Sequence, residues 1–514
     1  MEKSIRKILM VLLVLTIAIG FRFGLEYLFS IVWDFFSLSS VFGLVVRSLM
    51  VIFFALVWLS ITLRTDKPYE RLPWLLFLTF EPVVGMTLFL TFGRSFKRSH
   101  RYRNRPLMVR DNYITHEDKT YDVESRFENV ERRFRRIFNT AHQLALHQPF
   151  LNATDLKILK NGEQFYPDLI ESIKGAEKFI LIEFYIFRSD AQGKEIMELL
   201  MKKAEEGLDV KVIFDALGAA TASRKYFKRI RQSKVDFILN DRIYFPLFNT
   251  RVNFRNHRKI VVIDGKRGYT GGMNLANEYD NRNKGRYYFR DTMIRLDGQA
   301  VKSLTAVFMK DYYYNTNKFL DSDFYYPEYK VQSEGIVQIV QSGPDNQDAS
   351  IRDLYLKMLF SAKKSIRIMT PYMAMDQETL TALKVAGQSG IDVEIIIPGV
   401  PDKQLIYSVT QSFVSSLLDY NIKIYRYDKG FSHAKVLVID DEIASVGTYN
   451  LDNRSAHLAF EISALFAHDA VNDVVRDFIE DKQDSTLITL EEWQERSVVM
   501  RFFENLLALF SPII

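Results

Sequence analysis

The chain reads HRKIVVID at positions 257–264 and GGMN at 271–274, and then repeats the pattern as HAKVLVID at 433–440 and GTYN at 447–450. The His, Lys, Asp, first Gly and Asn of the second copy each follow their counterparts by 176 positions, as 433 follows 257. The chain has only 8 His, so chance is a poor explanation for two His-x-Lys-x4-Asp boxes. An internal duplication explains them.

The sequence around the boxes predicts an α/β fold that is built twice. Short runs rich in Ile, Val and Phe alternate with helical segments from about residue 145 onward. GLDVKVIF at 207–214 returns as GIDVEIII at 390–397. We therefore predict two pseudo-symmetric halves of mixed sheets flanked by helices, over residues 146–335 and 336–514.

The first hundred residues have the composition of a membrane region, and a basic linker with a helix is predicted over 101–145. The apolar stretch after Lys3, Arg6 and Lys7 favours an uncleaved anchor over a signal peptide, and residues 41–63 form the strongest spanning candidate. Residues 72–92 contain Glu81-Pro82 at their centre, which favours a kinked or re-entrant segment. Basic clusters on both sides of that segment predict a multi-pass or hairpin anchor in the cell membrane, with the two halves cytoplasmic.

Composition excludes several classes of protein. At 514 residues the chain is long enough for two or three domains, and the absence of Cys excludes disulfides, thiolate metal sites and a Cys nucleophile. The net charge of +5 is small, and no dense track of basic and aromatic residues accompanies it, so we expect no nucleic-acid partner. Oligomeric state is left open.

Local geometry places the box residues together. Each box precedes an apolar run, so His257 and Lys259 should share one face of a strand start, as should His433 and Lys435. Two-residue hairpin loops would set Asn274 opposite His257 and Asn450 opposite His433, with Gly272 facing Lys259 and leaving room for a ligand. Asp264 and Asp440 are candidate catalytic residues, but they lie beside turn residues, and a hairpin role is the favoured interpretation.

This set of residues suits displacement at a phosphodiester. One His can attack phosphorus while the other protonates the departing oxygen, and the Lys and Asn side chains can hold the non-bridging oxygens without a metal or cofactor. A carboxylate should fix the other nitrogen of each imidazole. Asp291 and Glu461 are the candidates, and the sequence leaves open which of them meets which His.

The paired boxes resemble the phospholipase D superfamily, and the neighbouring phrases resemble bacterial cardiolipin synthases. These phrases are GGMN, FRDT at 289–292, SGPD at 342–345, TPY at 370–372 and GTYNLDNRS at 447–455. The resemblance implies one site between the halves, with Asp291 and Glu461 orienting the histidines. It also implies transfer between two phosphatidylglycerols through a phosphohistidine, giving cardiolipin and glycerol. The alternative is a phospholipase D or another phosphatidyltransferase that uses water or a different alcohol.

Two positions depart from the family pattern. Phe289 stands where many members have Trp, and Gly272 stands where they have Ser or Thr. Neither change removes a group from the chemistry.

The C-terminal region predicts an amphipathic helix. Thr489-Leu490-Glu491-Glu492 is a capping-box pattern, and a broad apolar face follows it. We expect this face to dock onto the protein's own core rather than lie in a membrane interface.

Overall fold

The computed structural model describes residues 41–63, parts of 71–89, 123–241, 254–282, 287–320, 322–346, 348–508 and 511. The chain divides into an N-terminal unit and a larger unit that contains both boxes. The anchor predicted before residue 40 and residues 101–122 of the predicted linker region lie outside the described residues.

The N-terminal unit contains helix α1 (Val41–Thr62) and helical residues within 71–89. Ile61, Leu78, Met86 and Phe89 are buried together in a small cluster. By length and apolarity together, none of the helices in the described part of the chain qualifies as a membrane span. The spans predicted at 41–63 and 72–92 therefore stay predictions.

The larger unit is an alternation of helices and strands. Its helices are α2 (Val123–Arg126), α3 (Arg132–Ala145), α4 (Asn161–Lys174), α5 (Ala191–Glu205), α6 (Arg224–Gln232), α7 (Val301–Thr316), α8 (Ser322–Tyr325), α9 (Ser350–Leu359), α10 (Gln377–Gln388), α11 (Gln404–Leu418), α12 (Asn453–His457), α13 (Ala470–Gln483), α14 (Leu490–Gln494) and α15 (Val498–Ala508). Its strands are β1 (Phe150–Leu151), β2 (Thr154–Lys160), β3 (Phe179–Phe184), β4 (Asp209–Asp215), β5 (Asp236–Asn240), β6 (Ile260–Ile263), β7 (Arg267–Gly271), β8 (Tyr288–Arg290), β9 (Thr292–Gly298), β10 (Ile336–Ser342), β11 (Ser365–Met369), β12 (Met373–Ala374), β13 (Asp392–Pro398), β14 (Ile422–Tyr427), β15 (Gly430–Ser432), β16 (Val436–Ile439), β17 (Ile443–Gly447), β18 (Leu451–Asp452), β19 (Glu461–Ala467) and β20 (Ser485–Leu487).

Two large sheets repeat one topology. The first has the order β2-β9-β7-β6-β3-β4-β5, and the second contains the matching order β10-β19-β17-β16-β11-β13-β14, with β1 and β20 added at its edges. In each sheet the last three strands of that order are parallel and the remaining neighbours are antiparallel. The predicted duplication of an α/β half is thus confirmed.

The sheets share one core, which brings the two boxes to the same place. β7 and β9 pack against β17 and β19. Val262 of β6 and Val438 of β16 belong to the same buried cluster and are fully buried. Each such side chain contributes about 1.5–3 kcal/mol relative to an exposed one. The strands that follow the two boxes are therefore held on one common apolar layer.

The hairpins after the boxes correct the predicted register. In the β6–β7 hairpin Ile263 pairs with Arg267, and in the β16–β17 hairpin Ile439 pairs with Ile443, so each loop has three residues rather than two. Asp264 and Asp440 enter these loops with left-handed φ values of 53° and 55°. The prediction that each Asn lies directly opposite its His was wrong by one residue.

The C-terminal helix also differs from expectation. Thr489 caps α14 by accepting a hydrogen bond from the Glu492 N–H at 3.2 Å, but that helix ends at Gln494 and α15 begins at Val498. The predicted docking of the apolar face was wrong, because Val498 and Phe502 are exposed while Glu504 is buried.

Candidate active site

Short backbone pairings between the halves position the two histidines. β15 pairs in parallel with β8, and the His433 N–H donates to the Arg290 carbonyl at 2.7 Å. In the other half an isolated parallel bridge joins Asn256 to Phe460, and the His257 N–H donates to the Phe460 carbonyl at 2.9 Å. Each His therefore lies beside the residue that precedes the candidate carboxylate of the opposite half.

The carboxylates are exchanged between the halves. His257 Nδ1 lies 3.0 Å from Glu461 Oε2 and 3.1 Å from Oε1, and His433 Nδ1 lies 2.6 Å from Asp291 Oδ2. An ionised carboxylate can only accept, so this contact assigns the proton to Nδ1 and leaves the lone pair on Nε2. The pairing that the sequence left open is thus a crossed one, with each Nε2 available to phosphorus.

The lysines and asparagines of the boxes are buried beside the imidazoles. Lys259 Nζ donates to the His257 carbonyl at 2.7 Å, and Lys435 Nζ makes the same contact with the His433 carbonyl. Asn274 accepts from the Ile186 N–H at 3.0 Å, and its amide donates to the Tyr279 hydroxyl at 2.8 Å.

The amide of the second asparagine makes a longer hydrogen bond than that of the first. The Asn450 amide donates to Ser455 Oγ at 3.4 Å, and Ser455 is the repeat counterpart of Tyr279. Asn450 Oδ1 is buried, and none of the described residues donates a hydrogen bond to it. The two asparagines therefore occupy equivalent places with different neighbours.

Burial and mutual repulsion lower the pKa values of the histidines and lysines in the site. Burial, together with Lys259 and Lys435, lowers the pKa of His257 to about 4 against the opposing effect of Glu461. Burial also lowers the pKa of His433 to about 4, with Lys435 and Lys259 acting in the same direction. Since each imidazole is affected by the lysine of the other half, the two sets converge electrostatically. Both imidazoles are neutral in the empty site at pH 7.

The pKa values of the two lysines are lowered as well. Burial lowers the pKa of Lys259 to about 7 and that of Lys435 to about 8. Burial raises the pKa of the Glu461 carboxyl, but the contact with His257 and the charge of Lys259 outweigh that effect and hold the pKa below its usual value. An anion bound at this place would restore the positive charges, so the empty site is prepared for a negatively charged ligand.

Different groups fix the two carboxylates. Thr448 Oγ1 donates to Glu461, whereas the backbone N–H of Thr292 donates to Asp291 Oδ1 at 2.8 Å. Gly272 is the repeat counterpart of Thr448, and a Cβ there would lie 2.0 Å from Asp291 Oδ1. The space beside Gly272 is therefore occupied by Asp291, and the prediction that it accommodates a ligand was wrong.

Asp264 and Asp440 serve the backbone. Asp264 accepts from the N–H groups of Glu177, Lys178 and Phe179, at 2.7–3.0 Å. Asp440 accepts equivalent bonds at the start of β11 and also pairs with Arg133. These contacts join the two hairpins to the starts of β3 and β11, as the turn interpretation expects, and neither carboxylate takes part in the proposed chemistry.

Of the aromatic rings around the histidines, sequence reasoning named Phe289 and missed the others. Tyr279, Phe289 and Phe431 have ring centroids 5.7, 6.0 and 5.8 Å from that of His433. Tyr185 lies edge-on to His257 at 5.1 Å. Two features of the sequence could have indicated these rings. The 176-residue offset aligns Tyr279 with Ser455 of GTYNLDNRS, and Phe431 lies only two positions before His433.

Arg258 was also missed, although it is the one residue within the first His-x-Lys that differs from the second, where Ala434 stands. Arg258 is fully buried and forms an ion pair with Asp311. It donates to the carbonyls of Glu461 and Ser342 at 3.2 Å each. It thereby fixes the backbone that carries the His257 partner.

The family can now be identified. The family model described as "Cardiolipin synthase, PLD-like domain" matches residues 169–305 and 355–482, one match in each half. The chain belongs to the cardiolipin synthase family. The resemblance inferred from the paired boxes is thus confirmed, and the chain is an enzyme of the phospholipase D type.

Individual members of the family match over most of their length. A cardiolipin synthase of Geobacillus kaustophilus is 37% identical over 473 residues, which cover 91% of this chain and 93% of that protein. Cardiolipin synthase 2 of Bacillus anthracis is 36% identical over 89% of this chain and 90% of its own. The crystal structure of phosphatidylserine synthase from Haemophilus influenzae covers 74% of this chain and 100% of its own, with a TM-score of 0.57 and 16% identity. That likeness concerns the fold alone.

Proposed function

We propose that this enzyme transfers a phosphatidyl group between two phosphatidylglycerols, giving cardiolipin and glycerol through a phosphohistidine. The observation that carries the proposal is the convergence of two His–Lys–Asn sets whose carboxylates are exchanged between the halves. Family membership directs this chemistry to phospholipids. Water or another alcohol is the alternative acceptor, and the test below separates them.

In the first step Nε2 of one His attacks the phosphorus of the first lipid. The anionic phosphate of the bound lipid raises the pKa of the second His, which takes up a proton on Nε2 as the lipid binds. A P–N bond to the first His then forms, the P–O bond to glycerol breaks, and the second His gives that Nε2 proton to the departing glycerol oxygen. The carboxylate on Nδ1 stabilises each imidazole as it gains positive charge. Lys259, Lys435, Asn274 and Asn450 stabilise the charge on the non-bridging oxygens.

In the second step the second lipid replaces the departed glycerol. Its terminal hydroxyl gives a proton to the same His that protonated glycerol, and its oxygen attacks phosphorus as the P–N bond breaks. One phosphodiester is thus exchanged for another, so the bond energy is conserved and no nucleotide is consumed. Water has to be kept out during the interval, and the aromatic rings around His433 suit that task.

The test is lipid mass spectrometry after incubation of the purified full chain with phosphatidylglycerol vesicles, without nucleotide. The proposal expects cardiolipin and free glycerol in equal amounts. Phosphatidic acid without cardiolipin would assign water as the acceptor. Loss of product in both His257→Ala and His433→Ala is expected, and full activity in either variant would contradict the site.

We also propose that the chain is integral to a bacterial cell membrane with both halves on the cytoplasmic side. The support is the apolar sequence before residue 93 and the basic clusters on each side of residues 72–92. A tag inserted near residue 110 should be protected from reagents added outside intact cells. Labelling from outside would reverse the orientation.

A further inference from the structure

Helix α15 buries its one carboxylate and exposes four of its apolar side chains. The exposed apolar side chains, with their exposed fractions, are Val498 (71%), Val499 (54%), Phe502 (61%) and Leu506 (39%). Glu504 is 4% exposed and forms an ion pair with Arg496, which lies 3.8 Å above the Trp493 ring. A helix on a water-facing surface has the opposite arrangement. Four large exposed apolar side chains within three turns therefore point to a non-aqueous neighbour.

Ser511, three residues past the end of this helix, contacts the chain that follows the GTYN motif of the second half. Asn453 follows the site residue Asn450 by three positions, and its amide donates to the Ser511 carbonyl at 3.2 Å. The same amide donates to the Ala374 carbonyl at 3.1 Å. Whatever covers α15 is therefore held close to the GTYN motif of the second half.

The size of the exposed face decides what can cover it. With 11 residues the helix is about 16 Å long, too short for a hydrocarbon core of about 30 Å. A stable protein interface needs about 20–30 residues on each side, and this face offers four large side chains. A short helix with a strong apolar face fits the boundary between headgroups and acyl chains.

We propose that α15 lies in the membrane interface with Val498, Val499, Phe502 and Leu506 among the acyl chains. This placement holds the second-half site motif at the level of the phospholipid headgroups. The lipid contact stands by itself, whereas its use in substrate access rests on the proposed function.

The absence of Cys allows a direct test in the full chain. A fluorophore on Phe502→Cys is compared with one on Lys228→Cys, an exposed position on α6, in vesicles of equal phosphatidylglycerol and phosphatidylethanolamine. Nitroxide on the acyl chain should quench the label at 502 several-fold more than the label at 228, with iodide in water showing the reverse order. Exposure of 502 to iodide would overturn the proposal. Shielding from both quenchers would also overturn it, since protein would then cover the helix.

An activity measurement tests the consequence for access. The double variant Val499→Ser/Phe502→Ser should convert long-chain phosphatidylglycerol in vesicles about tenfold more slowly. It should convert short-chain phosphatidylglycerol, dissolved as monomers, at the unaltered rate. The matched control is Lys225→Ser/Lys228→Ser on α6, which should change neither rate. Equal losses on both substrates would assign the face a structural role and contradict the access argument.

The two proposals can fail separately. Acyl-chain quenching at 502 in a protein that makes no cardiolipin would remove the proposed function and leave the lipid contact in place. Full transferase activity with an iodide-accessible 502 would do the opposite.

Discussion

The crossed carboxylates make single residues testable. Glu461→Gln keeps the size of the side chain but removes the charge that assigns the His257 proton to Nδ1 and stabilises the imidazolium. We expect kcat to fall by about 10²- to 10⁴-fold, with the fold retained. Cardiolipin formation measures the loss, and circular dichroism checks the fold.

The matched control for this change is Glu206→Gln, at an exposed carboxylate that pairs with Lys202 and Lys203. It should leave kcat unaltered. If Glu461→Gln retained normal kcat, the carboxylate would have no part in assigning the proton on His257.

The lysine pKa values predict the alkaline limb of activity. Lys259 and Lys435, at about 7 and about 8, lose their charges as pH rises through that range in the free enzyme. Since these charges hold the phosphate, kcat/KM should fall as pH rises from 7 to 9. A profile that stays flat to pH 9 would show that both lysines keep their charge.

The free energy of unfolding should rise with pH over the range in which kcat/KM falls. The folded pKa of Lys259 is about 7, below its ordinary value of 10.5, so between these values the unfolded chain binds the extra proton and folding becomes more favourable as pH rises. Lys259→Met should therefore be more stable than the unaltered protein near pH 7, and its advantage should shrink toward pH 10. Thermal unfolding without substrate measures this difference. An advantage that grew with pH would contradict the assigned direction.

Among the structural elements, the segment just after β7 leaves no room for an added side chain. Gly272→Ala places a Cβ about 2 Å from Asp291 Oδ1, which is closer than any contact allows, so Asp291 has to leave His433. We expect activity to fall by about 10²-fold or more, as for loss of the orienting carboxylate. Gly175→Ala is the control, because a Cβ there meets its nearest neighbour at 3.6 Å. Equal activity in the two variants would show that Asp291 tolerates displacement.

The same elements show what the sequence could predict. The repeat spacing and apolar runs predict both halves, because a 176-residue offset preserves the order of strands and helices. The predicted register of the two hairpins was wrong by one residue. Asp264 and Asp440 adopt a left-handed conformation and become the first residues of three-residue loops, and the sequence does not distinguish this from a two-residue loop. The carboxylate pairing depends on contacts between halves, for which spacing along the chain carries no information. The orientation of α15 was misjudged because an apolar face predicts burial without saying in what.

At the scale of the whole molecule, each half completes the site of the other. Glu461 lies 204 residues from His257, and Asp291 lies 142 residues from His433, yet both pairs form within one chain. The common core that includes Val262 and Val438 holds this arrangement without a second copy. A single chain therefore contains every group that the proposed reaction uses.

This arrangement predicts that two inactive chains cannot rescue each other. His257→Ala and His433→Ala, each purified and then reconstituted together in the same vesicles, should form no cardiolipin, because every site in the mixture lacks one His. A mixture of unaltered protein with His433→Ala should keep the specific activity of its unaltered fraction, which controls for the reconstitution. Recovery of activity in the first mixture would mean that copies exchange halves, and the crossed pairs would then form between chains.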